Sequence, residues 1–324
     1  MSITVITGAT GQVGLHLVDA LLAQGRRVRA LVLPRDPVAL PAGVEVVRGD
    51  VCDREAVRGA LRGASSVFHL AAIVSTASEA PPALFPVNVG GARNVAEAAR
   101  ELGVRRMVHF SSMVVFDPAP LDRPLDESRA RAVGEDISPY TRSKLLGEVA
   151  VRAEVARGLD AVIVHPTVIV GPHETHHDGI VQGFIAKHAR GELPALVSGG
   201  FNLVDVDDVV SGALLAEEKG RAGESYILGG RDYTVAELAS ICTASCGRRA
   251  PRMVTPMRLA RASLPLVELG ARVMGTRAPY NLEDLNQLAG NAIIKSDKAR
   301  RELGYAPRPI DDAVRRVHGW LGSA

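Results

Sequence analysis

The sequence predicts an α/β protein built on a doubly wound parallel sheet, and three features point there. Apolar runs rich in Val and Ile alternate with helix-like stretches through the first half of the chain. Those runs are apolar almost throughout rather than at every second residue, as strands covered by helices on both faces must be. A glycine-punctuated turn joins the first run to the first helix.

The elements follow in order. Strand runs fall at 2–7, 28–33, 44–48, 66–70, 105–111 and 160–165, and helix-like stretches near 12–24, 53–62, 86–102 and 139–157. After Pro166 the pattern loosens into shorter helices, strand-like pieces such as Ser225 to Leu228, and Pro and Gly punctuators. No internal repeat, low-complexity tract or long linker separates the halves, so they are expected to pack as one unit. The longest apolar candidate, Met257 to Met274, is interrupted by Arg258, Arg261, Glu268 and Arg272. It reads as an amphipathic helix set against a partner or a lipophilic ligand, not as a membrane span.

Composition narrows the function. The chain has 324 residues, 47% hydrophobic and 23% charged, enough to bury a full core. Its net charge of +2 is spread over interspersed signs, with no same-sign run to track a phosphate backbone, so nucleic acid is not an expected partner. Cys242 and Cys246 form a CxxxC pair, but no second pair and no histidine nearby in sequence completes a tetrahedral set. With Cys52 they read as buried thiols of a reducing compartment, the cytoplasm, and no metal site is expected. The dense HETHH at 173–177 lacks helical or hairpin ligand spacing and reads as a polar loop. Met1 leads straight into a strand with no basic leader segment.

The glycine turn is TGATGQVG, with Gly8, Gly11 and Gly14 placed between a strand and a helix start. The first glycine permits the tight turn, the second lets backbone approach a pyrophosphate, and the third lets helix and strand pack closely. The helix N-terminus adds unpaired N–H groups for the phosphates. This is a dinucleotide-binding arrangement of Rossmann type. The expected division is therefore a dinucleotide-binding core over 1–166 and, over 167–324, mainly a smaller substrate lobe with some segments returning to the core. The second strand, VRALVLP, ends without the acid that would bond a ribose 2′-hydroxyl. Arg35 follows, and its guanidinium suits a 2′-phosphate, so the reading leans to NADP over NAD. Asp50, after the third strand, offers an adenine contact or a helix N-cap before Arg54.

Tyr140 and Lys144 stand four residues apart in PYTRSKLLGE, on one face of a helix that begins at Pro139. A phenol ionises near pH 10, and lowering that by about three units takes roughly 4 kcal/mol of preference for the phenolate. The Lys144 ammonium is expected to supply part of it, making Tyr140 an acid and base near neutral pH. Ser112, in FSSMVVF at the end of the fifth strand, lies at the carboxyl edge where open α/β sheets bind ligands, with Ser111 as its competitor.

Over essentially the whole chain the sequence resembles the extended short-chain dehydrogenases/reductases, which include nucleotide-sugar epimerases and dehydratases, 3β-hydroxysteroid dehydrogenases and dihydroflavonol reductases. TGATGQVG at 7–14 resembles their cofactor loop, here Gly8, Thr10, Gly11, Gln12, Val13 and Gly14. GDV at 49–51 resembles the adenine contact through Asp50 and Val51, and HLAA at 69–72 the strand end beside the cofactor, through Leu70, Ala71 and Ala72. VNVGGARNV at 87–95 places Asn88 near the nicotinamide side, and HPTVIVGP at 165–172 places Pro166, Thr167 and Val168 at the nicotinamide amide. SSMVVF at 111–116 puts Ser112 in the serine slot, and YTRSK at 140–144 matches the Tyr-Lys motif. NLVDVDDVV at 202–210 and KARRELGYAPR at 298–308 resemble later landmarks. Three positions depart: Phe116 and Asp117 where relatives often read Tyr-Gly after Val115, and His165 where many carry Arg. Phe116 lacks a hydroxyl to touch a sugar, which weighs against a nucleotide sugar.

The resemblance implies an NAD(P)-dependent enzyme moving hydride between the nicotinamide and a ketone or secondary alcohol. Tyr140 protonates the forming alkoxide, Ser112 holds the oxygen, and Lys144 binds the nicotinamide ribose. Met113, Val114, Met253 and the apolar face of 257–274 make a candidate wall for a lipophilic substrate. The alternative is a nucleotide-sugar epimerase or dehydratase, with Arg231, Arg252 and Arg277 available to a diphosphate. A non-catalytic redox sensor is a third reading, against which the intact Ser-Tyr-Lys set speaks. Helix stretches 86–102 and 139–157 carry apolar positions on more than one face and resemble the family's four-helix dimer interface, so a homodimer is expected.

Overall fold

A computed structural model describes residues 2–75, 79–134, 137–172, 180–193, 195–251, 253–275, 280, 282–290 and 293–322. The first half runs β1 (Ile3–Thr7), α1 (Gln12–Ala23), β2 (Arg27–Val32), β3 (Glu45–Arg48), α2 (Arg54–Leu61) and β4 (Ala64–His69). A π-helical stretch, Pro86–Gly91, leads into α3 (Ala92–Glu101), followed by β5 (Arg106–Phe110), a 3-10 turn (Met113–Val115), α4 (Pro139–Val155) and β6 (Ala161–Pro166). The second half holds β7 (Val168–Val170), α5 (Ile180–Arg190), β8 (Leu196–Val197), β9 (Gly200–Asp205), α6 (Val206–Lys219) and β10 (Ser225–Leu228). It continues with β11 (Arg231–Thr234), α7 (Val235–Cys246), β12 (Val254–Thr255), α8 (Met257–Val273), α9 (Leu282–Leu288), α10 (Asp297–Leu303) and α11 (Asp311–Leu321).

Seven strands form one parallel sheet in the order β3-β2-β1-β4-β5-β6-β10. The chain winds outward from β1 to β3, then returns to place β4 on the other side of β1. That reversal opens a crevice at the carboxyl ends of β1 and β4, where such sheets take ligands. One face packs against Leu17, Val18 and Leu21 of α1, Val209, Val210 and Ala213 of α6, and Ala299 and Leu303 of α10. The other packs against Val57, Ala60 and Leu61 of α2, Val95, Ala96 and Ala99 of α3, and Val151 of α4. Burial on both faces explains the unbroken apolar runs. Segments beyond Pro166 thus supply the last strand, β10, and two helices of one covering layer.

The rest of the second half builds its own core. β7, β9 and β11 form a small sheet, and α5, α7 and α11 close over it through Val181, Ile185, Leu238, Cys242, Val314 and Val317. Here the fold corrects the reading of three buried thiols: only Cys242 is buried, Cys52 and Cys246 being exposed at the surface, and His188 of α5 and His318 of α11 come close to Cys242. The helix α8 is a single amphipathic helix. It buries Ala260, Leu264 and Ala271 but leaves Leu266 73% and Val273 79% exposed, so much of its apolar surface faces outward. Among the described residues no helix is long and apolar enough to cross a membrane. The HETHH segment lies outside the described residues, as do Arg252 and Arg277.

Candidate active site

One wall of the crevice is backbone. The chain leaves β1 at Thr7 and turns at Gly8 with φ +74°, a left-handed conformation in which glycine carries no steric penalty. A Cβ on Gly8 would sit 2.6 Å from the Ala71 amide nitrogen, and one on Gly14 would overlap the Gly8 carbonyl oxygen. Gly11 is the N-cap of α1 with no side-chain cap and no acid in the first turn, so the leading N–H groups of the helix face the crevice uncompensated. That is what a diphosphate requires. Across the crevice Thr167 Oγ1 is buried without a hydrogen-bond partner, a polar atom placed where the resemblance puts the nicotinamide amide. The chain therefore fits a dinucleotide on the two counts the geometry can test.

The flanking residues are fixed by longer-range bonds. Gln12 donates to the Gly171 carbonyl at 2.7 Å, tying the loop to the second half, and Val13 packs into the core. Leu70 N donates to Thr7 O at 3.0 Å, and Ala71 N lies 3.4 Å from Thr7 Oγ1, so the stretch through Ala72 runs on beside the end of β1. Thr10 donates to Asp36 Oδ2 at 2.6 Å. The turn after β2 thus carries a carboxylate, Asp36, back to the glycine loop although the strand itself ends without one, while Arg35 stays exposed. The visible signal is the RDP following the strand. Asp50 accepts from Cys52 N at 2.9 Å, and the capping of α2 falls to Asp53 instead, which accepts from Glu55 N and Ala56 N. Val51 is buried.

The other wall is made of side chains. Ser112 ends the β5 extension, its hydroxyl placed where it draws the pKa of the Tyr140 phenol down. Ser138 caps α4 by accepting from Thr141 N, and Pro139 occupies the first turn, which fixes where the helix starts and so where Tyr140 stands. Lys144, one turn on, is buried and donates to the Phe110 carbonyl at 2.6 Å. This corrects the expected pairing: the ammonium is held by the β5 backbone and does not lower the phenol. Burial pushes Tyr140 up to about 12, against the pull of Ser112. Burial likewise brings Lys144 down to about 8, with Glu148 drawing it back up. Asn88 is also not turned to the crevice. Its amide exchanges bonds with Ile73 N and O at 2.8 and 3.0 Å and donates to Ser143 Oγ at 2.8 Å, clamping the cofactor-side strand end to α4.

Behind Ser112 and Lys144 lies a charge cluster that spacing does not reveal. Glu148 is buried and accepts from Arg131 at 2.7 Å, Arg152 at 2.9 Å and Ser111 at 3.3 Å. Ser111 is thereby committed away from the crevice. Burial raises the Glu148 carboxyl, but His165, Arg131 and Arg152 outweigh it and hold it below the usual range. His165 is fully buried, with Nδ1 3.2 Å from the Ser112 carbonyl and Nε2 3.0 Å from Ser225 Oγ, so it braces the serine backbone. Burial lowers it to about 4. Phe116 is 1% exposed, with the Arg131 guanidinium 4.2 Å from its ring centre, and touches no substrate space. Its missing hydroxyl therefore says nothing about sugars.

The second half offers two kinds of surface. Met113 and Val114 are half-buried beside Ser112, whereas Met253 is 64% exposed. A cleft of about 480 Å³ is bordered by Ser198, Tyr233, Thr234, Met257 and Leu288, but Ser112, Tyr140 and Lys144 do not border it. Arg308 and Arg316 are occupied by Asp205, Asp207 and Asp208. Arg231 is exposed on β11.

A phosphate cradle facing a hydroxyl, phenol and ammonium at the switch point of a doubly wound sheet defines an NAD(P)-dependent oxidoreductase fold, working by hydride transfer. The chain belongs to the NAD dependent epimerase/dehydratase family, which it matches over residues 4–235. It is 36% identical over 322 residues to sterol demethylase protein B of Methylococcus capsulatus, covering 98% of both chains. It is 33% identical over 318 residues to a 4-hydroxy-2-methyl-3-oxo-4-farnesyl-3,4-dihydroquinoline-1-oxide ketoreductase of Stigmatella aurantiaca, covering 94% of this chain and 92% of the relative. Among solved structures, gox2253 superposes with TM-score 0.85 at 34% identity, covering 100% of this chain and 98% of that one. A nucleoside-diphosphate-sugar epimerase from Pseudomonas aeruginosa superposes with TM-score 0.78 at 25% identity, covering 99% and 98%.

Proposed function

We propose that the protein is a dehydrogenase or reductase that interconverts a ketone and a secondary alcohol on a bulky lipophilic molecule. The hydride chemistry, common to this reading and its rival, is supported by Ser112 acting on the Tyr140 phenol at the crevice with Lys144 buried one helical turn behind; the lipophilic substrate is what separates the two. When bound, the nicotinamide supplies or accepts the hydride. Tyr140, a neutral phenol in the cofactor-free protein, gives its proton to the substrate oxygen as the alcohol forms, and takes it back in oxidation. Ser112 holds that oxygen. Lys144 spends one donor on Phe110 O and keeps two for the nicotinamide ribose.

The lipophilic substrate is supported by the names of two relatives, one a sterol demethylase protein and one a farnesylated-quinoline ketoreductase, and by the outward apolar surface of α8. A second reading, nucleotide-sugar epimerase or dehydratase, is supported by the family as a whole and by the epimerase structure above, and it uses the same three residues. The two differ in net redox change. With a panel of sterol-like ketones and alcohols, nicotinamide absorbance should change stoichiometrically with conversion. Conversion of a nucleotide sugar without net change in absorbance would install the epimerase reading.

For the cofactor, Asp36 at the glycine loop supports NAD, since a carboxylate there accepts from a ribose hydroxyl and repels a 2′-phosphate. The lean to NADP on Arg35 is given up on that ground. A homodimer through α3 and α4 is supported by Leu146 and Val149, exposed on α4. A monomer by light scattering at micromolar concentration would remove it.

A further inference from the structure

The convergence of α5, α7 and α11 brings together side chains far apart in sequence. One nitrogen of His188, the Cys242 sulfur and one nitrogen of His318 all lie within 4.8 Å of one another. Cys246, one turn after Cys242 on α7, brings its sulfur 3.7 Å from His188 Nδ1. The imidazole of His318 is held by Ser245, whose hydroxyl lies 2.7 Å from Nδ1, while Nε2 is buried with no partner. A ring nitrogen fixed by a hydroxyl on one side and left bare on the other is how metal-binding histidines are oriented. A buried polar nitrogen without a partner is otherwise a net cost to the fold.

We propose that His188, Cys242 and His318, with Cys246 as fourth donor, form a structural site for a zinc-class cation that pins α5 and α11 to α7. Two imidazoles and two thiolates with no carboxylate exclude magnesium and calcium and suit zinc. Bonds of about 2.0–2.3 Å in a tetrahedron put ligand atoms about 3.5 Å apart, so the widest pair among His188, Cys242 and His318 closes by about 1 Å on binding, while Cys246, already near His188 but outside that triad, turns further in. The Arg248 guanidinium, near His188, opposes a bare cation. Two thiolates cancel the charge of the ion, which is why the second sulfur is needed. Binding replaces two S–H bonds with two S–metal bonds and releases two protons to solvent, with no change in oxidation state.

The test uses the full-length protein, reduced, treated with chelator and titrated with Co²⁺ alone. One equivalent should bind with a thiolate-to-metal band in the near ultraviolet and tetrahedral bands in the visible, both bleached by Zn²⁺. Cys242→Ser should lose most of the near-ultraviolet intensity, and His318→Asn should weaken Co²⁺ binding by at least about tenfold. Ser245→Ala, which removes no ligand and should leave the fold intact, is expected to weaken it by about tenfold through the lost Nδ1 contact. Cys52→Ser should change nothing. Absence of the bands at one equivalent in the parent protein, or bands and affinity unchanged from the parent in both the Ser245→Ala and His318→Asn proteins, would overturn the site.

Discussion

The two walls of the crevice solve one positioning problem with different materials. The glycine wall is backbone: its shape comes from the absence of Cβ atoms at Gly8 and Gly14, and its attraction for anions from helix N–H groups that do not titrate over the working pH range. The Ser112–Tyr140–Lys144 wall is side chain, and it stands on the buried Glu148, the two arginines that pair with it and a fully buried histidine. A backbone wall fails when an atom is added and is indifferent to pH. A wall of buried ionisable groups tolerates small shape changes but fails when charge is removed or protons are forced in.

The largest effect is expected on the charged wall. Glu148→Gln keeps the shape but leaves Arg131 and Arg152 without their counter-charge. It should cost about 3 kcal/mol, toward the low end for a broken buried pair because both arginines reach solvent. Urea denaturation reads the loss, and turnover should fall with it because His165 and Ser111 lose their common partner. On the backbone wall Gly14→Ala does the converse, adding one methyl against the Gly8 carbonyl. It should cost about 2 kcal/mol by overpacking and abolish dinucleotide binding in a fluorescence titration, while leaving the acid sensitivity of folding unchanged.

That acid sensitivity belongs to the side-chain wall and the strands beneath it. Burial lowers His69 to about 3 and His165 to about 4, and drives His109 well below its ordinary value. Unfolded, each takes a proton near pH 6.5. Below that pH the unfolded chain binds protons the native state refuses, so stability is full above about pH 6.5 and falls as pH drops toward 4. Melting temperature against pH should show this slope. His109→Leu, which removes a ring with two unpartnered buried nitrogens, should flatten it. A smaller effect is expected at the adenosine end: Asp36→Asn should raise NADP affinity relative to NAD by about tenfold, or about 1.4 kcal/mol. Arg35→Ala should leave the ratio within about twofold.

What was legible in the sequence divides along the same line. The strands, α1 and the glycine turn are local patterns, and Tyr140 and Lys144 share a helix face by spacing alone, so periodicity finds them. Asp36 escaped because a turn, not the strand end, delivers it to Thr10. Glu148, His165 and Arg131 look like ordinary helix, strand and loop residues until β5, β6 and α4 pack together. His188 and His318 lie 54 and 76 residues from Cys242, so only the closing of three helices makes them neighbours. Ser225 to Leu228 reads as an isolated strand because nothing in four apolar residues says they pair with β6.

The most direct test of the account is Tyr140→Phe, which removes one hydroxyl from the charged wall and touches nothing on the backbone wall. Turnover of the redox substrate should fall by at least about a hundredfold, the contribution of a positioned acid, while melting temperature is kept and NAD affinity stays within about twofold. Retention of more than about a tenth of the turnover, with the fold and the NAD affinity intact, would contradict the assignment of proton transfer to Tyr140.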